Sequence, residues 1–263
     1  MDSYRRTRGG YTILEVMIVL IVSTTIFASA MIAYSQQNRR ARFTESVQTF
    51  AQNIQDVLND IDTGYYASNN DFSCTAGLEG NPEFPTGGSA RQGTNSGCVF
   101  VGKALQFTPQ EEPMTFKTHT IVGRQFIENS TTDPVSTLDE ALPVALPNNI
   151  DSYTLTADVR VIRVSSGGIN GAGIAVVADS GSGGVGQSGH NARTQLALVP
   201  GSMNMFISQF ANSLKLLNSG NIITSSDGIE ICLQEEGGGR QAVVTLGADQ
   251  SRIAIDVKVD QAC

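Results

Sequence analysis

The sequence predicts an α+β protein: one long N-terminal helix packed on a β-rich C-terminal domain of two antiparallel sheets. Three observations predict it. Residues 16–34 carry no charged side chain. From Phe43 to Ile61, apolar residues recur at steps of three and four, the signature of one helix face. From Cys98 onward, short apolar runs are broken by Gly, Ser, Asn and Thr, the texture of a β-rich domain. The 263 residues allow one fairly large domain or two small ones. Because the long apolar segment lies near the N-terminus, the remainder reads as one water-soluble body.

The first ten residues are polar and basic, with Arg5, Arg6 and Arg8. Residues 11–34 follow as the apolar half of the helix, and the uncharged stretch within them approaches the ~20 residues a helix needs to cross hydrocarbon. The three leading arginines favour an N-terminus held in the cytoplasm and a body outside. Arg39, Arg40 and Arg42 flank the other end in equal number, so charge alone leaves the orientation open. Those three read as residues at lipid-headgroup level, or as partners for acidic groups on neighbouring chains. Glu15 is the oddity: a carboxylate at the edge of an apolar span is costly without a partner.

Residues 35–62 continue the helix as an amphipathic segment, with Phe43, Val47, Phe50, Ile54, Val57, Leu58 and Ile61 on one face. No proline interrupts residues 11–61, and a helix of that length extends ~75 Å. Asp62, Thr63 and Gly64 supply the stop. Within the globular part, residues 63–263, the stretch 65–97 is rich in Asn, Ser, Gly and Pro and reads as loop. Strands are expected at 98–102, 104–107, 114–122, 153–164, 173–178, 194–199, 203–208, 229–233, 241–246 and 252–259. Residues 125–150 contain three prolines and read as a loop or insertion, and 209–219 as a short helix. The Gly-rich stretch 167–190, with Gly181, Gly184, Gly186 and Gly189, lacks a Gly-Lys-Ser/Thr phosphate loop and reads as an exposed flexible loop.

Gly9-Gly10, an aromatic Tyr11, then Thr12-Ile13-Leu14-Glu15 and the long apolar run together resemble the class III signal of type IV prepilins and type II secretion pseudopilins. The resemblance covers the first fifth of the chain. It implies that residues 1–10 are a leader, removed after Gly10 by a membrane-embedded prepilin peptidase that also N-methylates Tyr11. The family usually has Phe there; Tyr11 keeps the ring. Glu15 becomes fifth in the mature chain and pairs, in a filament, with the amine of a neighbouring subunit's first residue. Two other readings compete: an ordinary signal peptide cut near Ala28-Ser29-Ala30, and an uncleaved signal anchor. The first does not account for Glu15 or for the helix that runs on past the membrane, and the second leaves Gly9-Gly10 as chance. Residues 97–107, with the closing runs from Ile229, are similar to the H-type pseudopilin group of minor pilins.

Four cysteines in a chain that leaves the cytoplasm suggest two disulfides, and four allow three pairings. Cys74–Cys98 and Cys232–Cys263 are favoured; the second ties the end of the chain to a neighbouring strand, like the loop closure of pilins. A free Cys263 linking subunits is the alternative. The cysteine spacing does not resemble a zinc site, and no cofactor, metal or catalytic constellation is read. His119 reads as an exposed strand residue, and His190 lies in the Gly-rich stretch. Glu111-Glu112 and Glu235-Glu236 read as solvated turns. The net charge is −8, and removing residues 1–10 takes away Arg5, Arg6, Arg8 and Asp2 to leave −10. An acidic body repels phosphates, which argues against nucleic acid as a partner. Some H-type relatives bind DNA through basic side chains, and Arg240, Arg252 and Lys258 are the residues here for such an edge.

The expected function is a structural subunit of a type IV pilus-like filament for adhesion, motility or attachment. Its partners would be other pilin subunits, the prepilin peptidase, the pilus assembly machinery and the membrane, through a single helix. The expected location is the cell membrane, with the body outside, and then the extracellular pilus. The alternatives are a minor pilin or pseudopilin of a secretion or DNA-uptake machine, and an anchored binding domain or enzyme that never polymerises.

Overall fold

A computed structural model describes residues 12–62, 75–76, 82–83, 98–127, 130, 132–156, 159–178, 194–223, 228–237, 239–248 and 253–263. The chain is α+β, a long N-terminal helix followed by two antiparallel five-stranded sheets. It divides into two compact units, Met1–Thr44 and Glu45–Cys263. Helix α1, Ile13–Asp62, spans 50 residues. In the first unit its apolar side chains are exposed from Ile13 to Tyr34. The predicted stripe is buried along its whole length: Phe43, Val47, Phe50, Ile54, Val57, Leu58 and Ile61.

In the second unit, one sheet has the order β5-β4-β3-β8-β9. Its strands are β3, Cys98–Phe107; β4, Thr115–Arg124; β5, Val144–Thr154; β8, Gly173–Ala178; and β9, Thr194–Val199. The other has the order β12-β11-β10-β6-β7. Its strands are β6, Val159–Ser166; β7, Ile169–Asn170; β10, Ile229–Glu235; β11, Gln241–Ala248; and β12, Ile253–Val259. A small ladder joins β1, Thr75–Ala76, to β2, Pro82–Glu83. Two short helices, α2 at Leu138–Ala141 and α3 at Ile207–Ser213, complete the unit, with 3-10 turns at Leu214–Leu216 and Ser219–Asn221.

The first sheet is covered on both faces. On one, Phe50 of α1 lies 6.0 Å from Phe107 and 5.5 Å from Phe116, and Phe116 stacks on Tyr153 at 4.7 Å. These aromatic contacts add to the area they bury. On the other face, Ala104, Ile121, Ala175 and Ala197 form one buried cluster with Phe210 of α3 and with Leu214. Small residues on the strands leave room there for the large ring. A bulge between Phe100 and Gly102 shifts the β3 register, and Gly102 sits at it: a Cβ there would lie 2.0 Å from the Val176 carbonyl oxygen.

The structure corrects several expectations. The two predicted strands over 98–107 are one bulged strand. The predicted strand 153–164 is the end of β5 and most of β6, two strands in different sheets. The predicted loop 125–150 holds α2 and much of β5. The predicted strand 203–208 is instead a turn leading into α3, and Phe206 precedes the first helical residue with extended backbone. The short helix expected at 209–219 is present as α3 and the following 3-10 turn. Of the Gly-rich stretch, 167–170 forms the β6–β7 hairpin and 173–178 is β8, while 179–193 lies outside the described residues.

Candidate anchor and assembly site

The helix begins at a side-chain cap. The Thr12 hydroxyl accepts a hydrogen bond from the Glu15 backbone N–H at 3.3 Å, and the Thr12 carbonyl accepts from Val16 N–H at 3.2 Å. Threonine is a favoured cap because it satisfies one of the orphan amides of the first turn. Glu15 is exposed in that same turn, where a negative charge suits the helix dipole. It is the only charged residue in the described helix before Arg39. Gly10 and Tyr11, the predicted cleavage pair, lie outside the described residues.

Beyond Glu15 the surface is hydrocarbon. Phe27 is 72% exposed and Ile21 63%. The polar side chains on this half are short and internally satisfied. Ser23 donates to the Val19 carbonyl at 2.7 Å, Thr25 to Val22 at 2.8 Å and Ser29 to Ile26 at 2.8 Å. A helix whose hydroxyls bond back to its own carbonyls presents no unmet donor to lipid. This one helix is long and apolar enough to span a membrane, and none of that window is buried against the rest of the chain.

The C-terminal disulfide is present: Cys232 of β10 is bonded to Cys263, with Cα atoms 5.8 Å apart. Cys263 N–H also donates to the Gln241 side chain at 3.0 Å. Cys98 is disulfide-bonded and not a free thiol; the expected partner, Cys74, lies outside the described residues.

The charged and polar residues of the body divide unexpectedly. His119 is 1% exposed, the opposite of the solvent-facing strand residue that the alternation around it predicts. It lies under the Phe210 ring, 5.0 Å between centroids, and its Nε2 is 3.1 Å from Gln106 Oε1. Burial, with the nearby Lys117 charge, pushes its pKa down to about 4. Gln106 Nε2 donates to the Met205 carbonyl at 3.0 Å, so the buried imidazole and amide join the sheet to the segment before α3. Lys103, buried at 2% exposure, donates to Asp60 of α1 at 2.7 Å. No sequence pattern singled out either pair, since each joins residues far apart in the chain or on different strands.

Of the acid pairs, Glu112 carries a 2.9 Å ion pair with Lys117, and the hydrogen bond from that ammonium holds its carboxyl below the usual range. The Glu111 carboxylate accepts from Ile207 N–H at the start of α3. Of the proposed basic edge, Lys258 is paired with Asp256 at 3.5 Å, Arg240 is half-buried, and Arg252 lies outside the described residues, as does His190. Among the described residues no group of three His, Cys, Asp or Glu side chains is placed to hold a metal ion.

The protein is thus of a class defined by one exposed, apolar N-terminal helix joined to a two-sheet α+β body. No protein-family model matches the chain, and neither any curated protein nor any solved structure does.

Proposed function

We propose that this chain is a structural subunit of a type IV pilus-like filament. One observation carries the reading. The first half of α1 leaves its apolar side chains uncovered and places a single carboxylate, Glu15, at its head. Such a surface needs lipid or other copies of itself around it, and a carboxylate there needs a cationic partner. Removal of residues 1–10 by a prepilin peptidase creates that cation, the amine of Tyr11. The processed subunit waits in the cell membrane with its body outside. Assembly machinery then draws the helix out, apolar packing bundles the helices into a filament core, and the Glu15 carboxylate pairs with a neighbour's Tyr11 amine to set the axial step.

Mass spectrometry of the N-terminal peptide, from membranes and from sheared surface material, tests the reading. A peptide starting at methylated Tyr11 is expected. A start at Met1 or Met31 overturns it and leaves an anchored or secreted body. Abundance in the sheared fraction separates a major subunit from a minor pilin or pseudopilin. Glu15→Ala is expected to leave membrane insertion intact and to abolish incorporation; normal incorporation would remove the register role of Glu15.

A further inference from the structure

The second sheet has an incomplete edge. β7 pairs with β6 only at Ser165 and Ser166, while β10 runs beside β6 from Val159 to Ser165 on the other side. Among the described residues no strand therefore lies outside residues 160–163, and an uncovered strand edge offers unpaired N–H and C=O groups to any extended chain. The opposite edge of the same sheet, β12, carries the exposed pair Asp256 and Lys258, and charges of that kind blunt a strand edge. Here the open edge forms one wall of a groove of about 530 Å³, within the ~300–1,000 Å³ typical of ligand sites.

The opposite wall is built from two loops. Thr108 and Gln110 line it from the β3–β4 turn, Ser202 and Asn204 from the segment before α3, facing Arg160 and Ile162 of β6. The loops are held together: the Met205 carbonyl accepts from Gln110 N–H at 3.3 Å and from the buried Gln106 amide at 3.0 Å. The groove is thus backed by the buried His119–Gln106 pair rather than by mobile side chains. Its charge is one-sided. Among the described residues Arg160 is exposed and makes no ion pair, and none of those that line the groove is acidic. In a chain of net charge −8, an unpaired arginine over an open strand edge selects an acidic occupant.

We propose that this groove binds an extended, acidic peptide segment of another protein, which adds as a strand along β6 and places a carboxylate on Arg160. Backbone bonds to the strand edge would supply affinity and Arg160 would supply selectivity, the division found in strand-addition sites. The proposal stands apart from the filament reading, since it concerns only the body.

Fluorescence polarisation on the detergent-solubilised full chain tests it. The probes are short alternating valine–threonine peptides carrying two glutamates, the same peptides with glutamines, and the glutamate peptides N-methylated at alternate residues. Saturable binding of the glutamate peptide is expected, weakened about three- to tenfold by Arg160→Ala or by glutamine in the peptide, and lost on N-methylation. Binding indifferent to N-methylation would overturn strand addition, and competition by acetate alone at equal strength would reduce the site to a small-anion site. Self-association of the chain blocked by Arg160→Ala, with no peptide binding, would make the occupant a second copy and overturn the proposal. Failure of the peptide to bind at all would do the same.

Discussion

The two halves of α1 have the same backbone and opposite surroundings. Phe27, in the first half, is 72% exposed; Phe50, in the second, is 2% exposed and wedged against Phe107 and Phe116. Helical periodicity organises the second half into a stripe because only one side has a sheet to face. The first half is apolar all round, so no side is reserved for water. The contrast teaches that one element can be written for two solvents: the second half is solvated by its own domain, the first by something the chain does not provide.

The contrast is broken most directly by paired truncations. Phe50→Ala is expected to destabilise the body by about 3–5 kcal/mol, the cost of a large cavity in an aromatic cluster, as read by denaturant unfolding. Phe27→Ala should leave that unfolding free energy unchanged. Equal losses would mean that the first half is buried by the body after all.

Removing the Cys232–Cys263 bond by the double change Cys232→Ser and Cys263→Ser comes next. Its expected cost is about 3–4 kcal/mol, from the loop it closes in the unfolded chain. Membrane partitioning of the helix should not respond, because that property belongs to the other half.

Acid gives the third effect. His119 titrates near 4 in the folded body against an ordinary 6.5. The unfolded chain therefore binds the proton first as pH falls. Stability from the neutral, buried imidazole is complete above pH 6.5 and is lost progressively down to about 4, by about 3 kcal/mol. His119→Gln should flatten this acid limb; an unchanged limb would place the proton elsewhere. The smallest effect is expected from Lys258→Ala, whose pair with Asp256 is exposed at both ends and should not move the unfolding midpoint measurably.

What could be read in advance follows from the same contrast. All seven stripe residues of α1 were legible, because a helix against one surface prints its period on the chain. β5 was not. Pro143 and Pro147 argued for loop, yet β5 is an edge strand of its sheet, where a proline need not break a ladder bond. Its register with β4 also breaks between His119 and Ile121, which hides the alternation. His119 misled, and Lys103 went unread, for another reason. In a sheet covered on both faces, alternation no longer separates core from water, and their partners, Gln106 and Asp60, reveal themselves only in three dimensions. The turn before α3 carries Met203, Met205 and Phe206, apolar enough to imitate a strand. Of the candidate assembly site, Glu15 and the apolar run were evident from composition alone. The edge of β6, open among the described residues, was not, since strand order leaves no mark on a sequence.

The order of the strands has one more consequence. The chain lays down β3, β4 and β5 in one sheet, crosses to make β6 and β7 in the other, returns for β8 and β9, and crosses again for β10 to β12. Neither sheet can close until distant stretches have met: β3 awaits β8, and β6 awaits β10. Each such meeting must overcome loop-closure entropy before any contact is gained. The body should therefore collapse and melt as one cooperative unit, refold on the slow side of the range for its size, and yield no stable half when cut between its sheets.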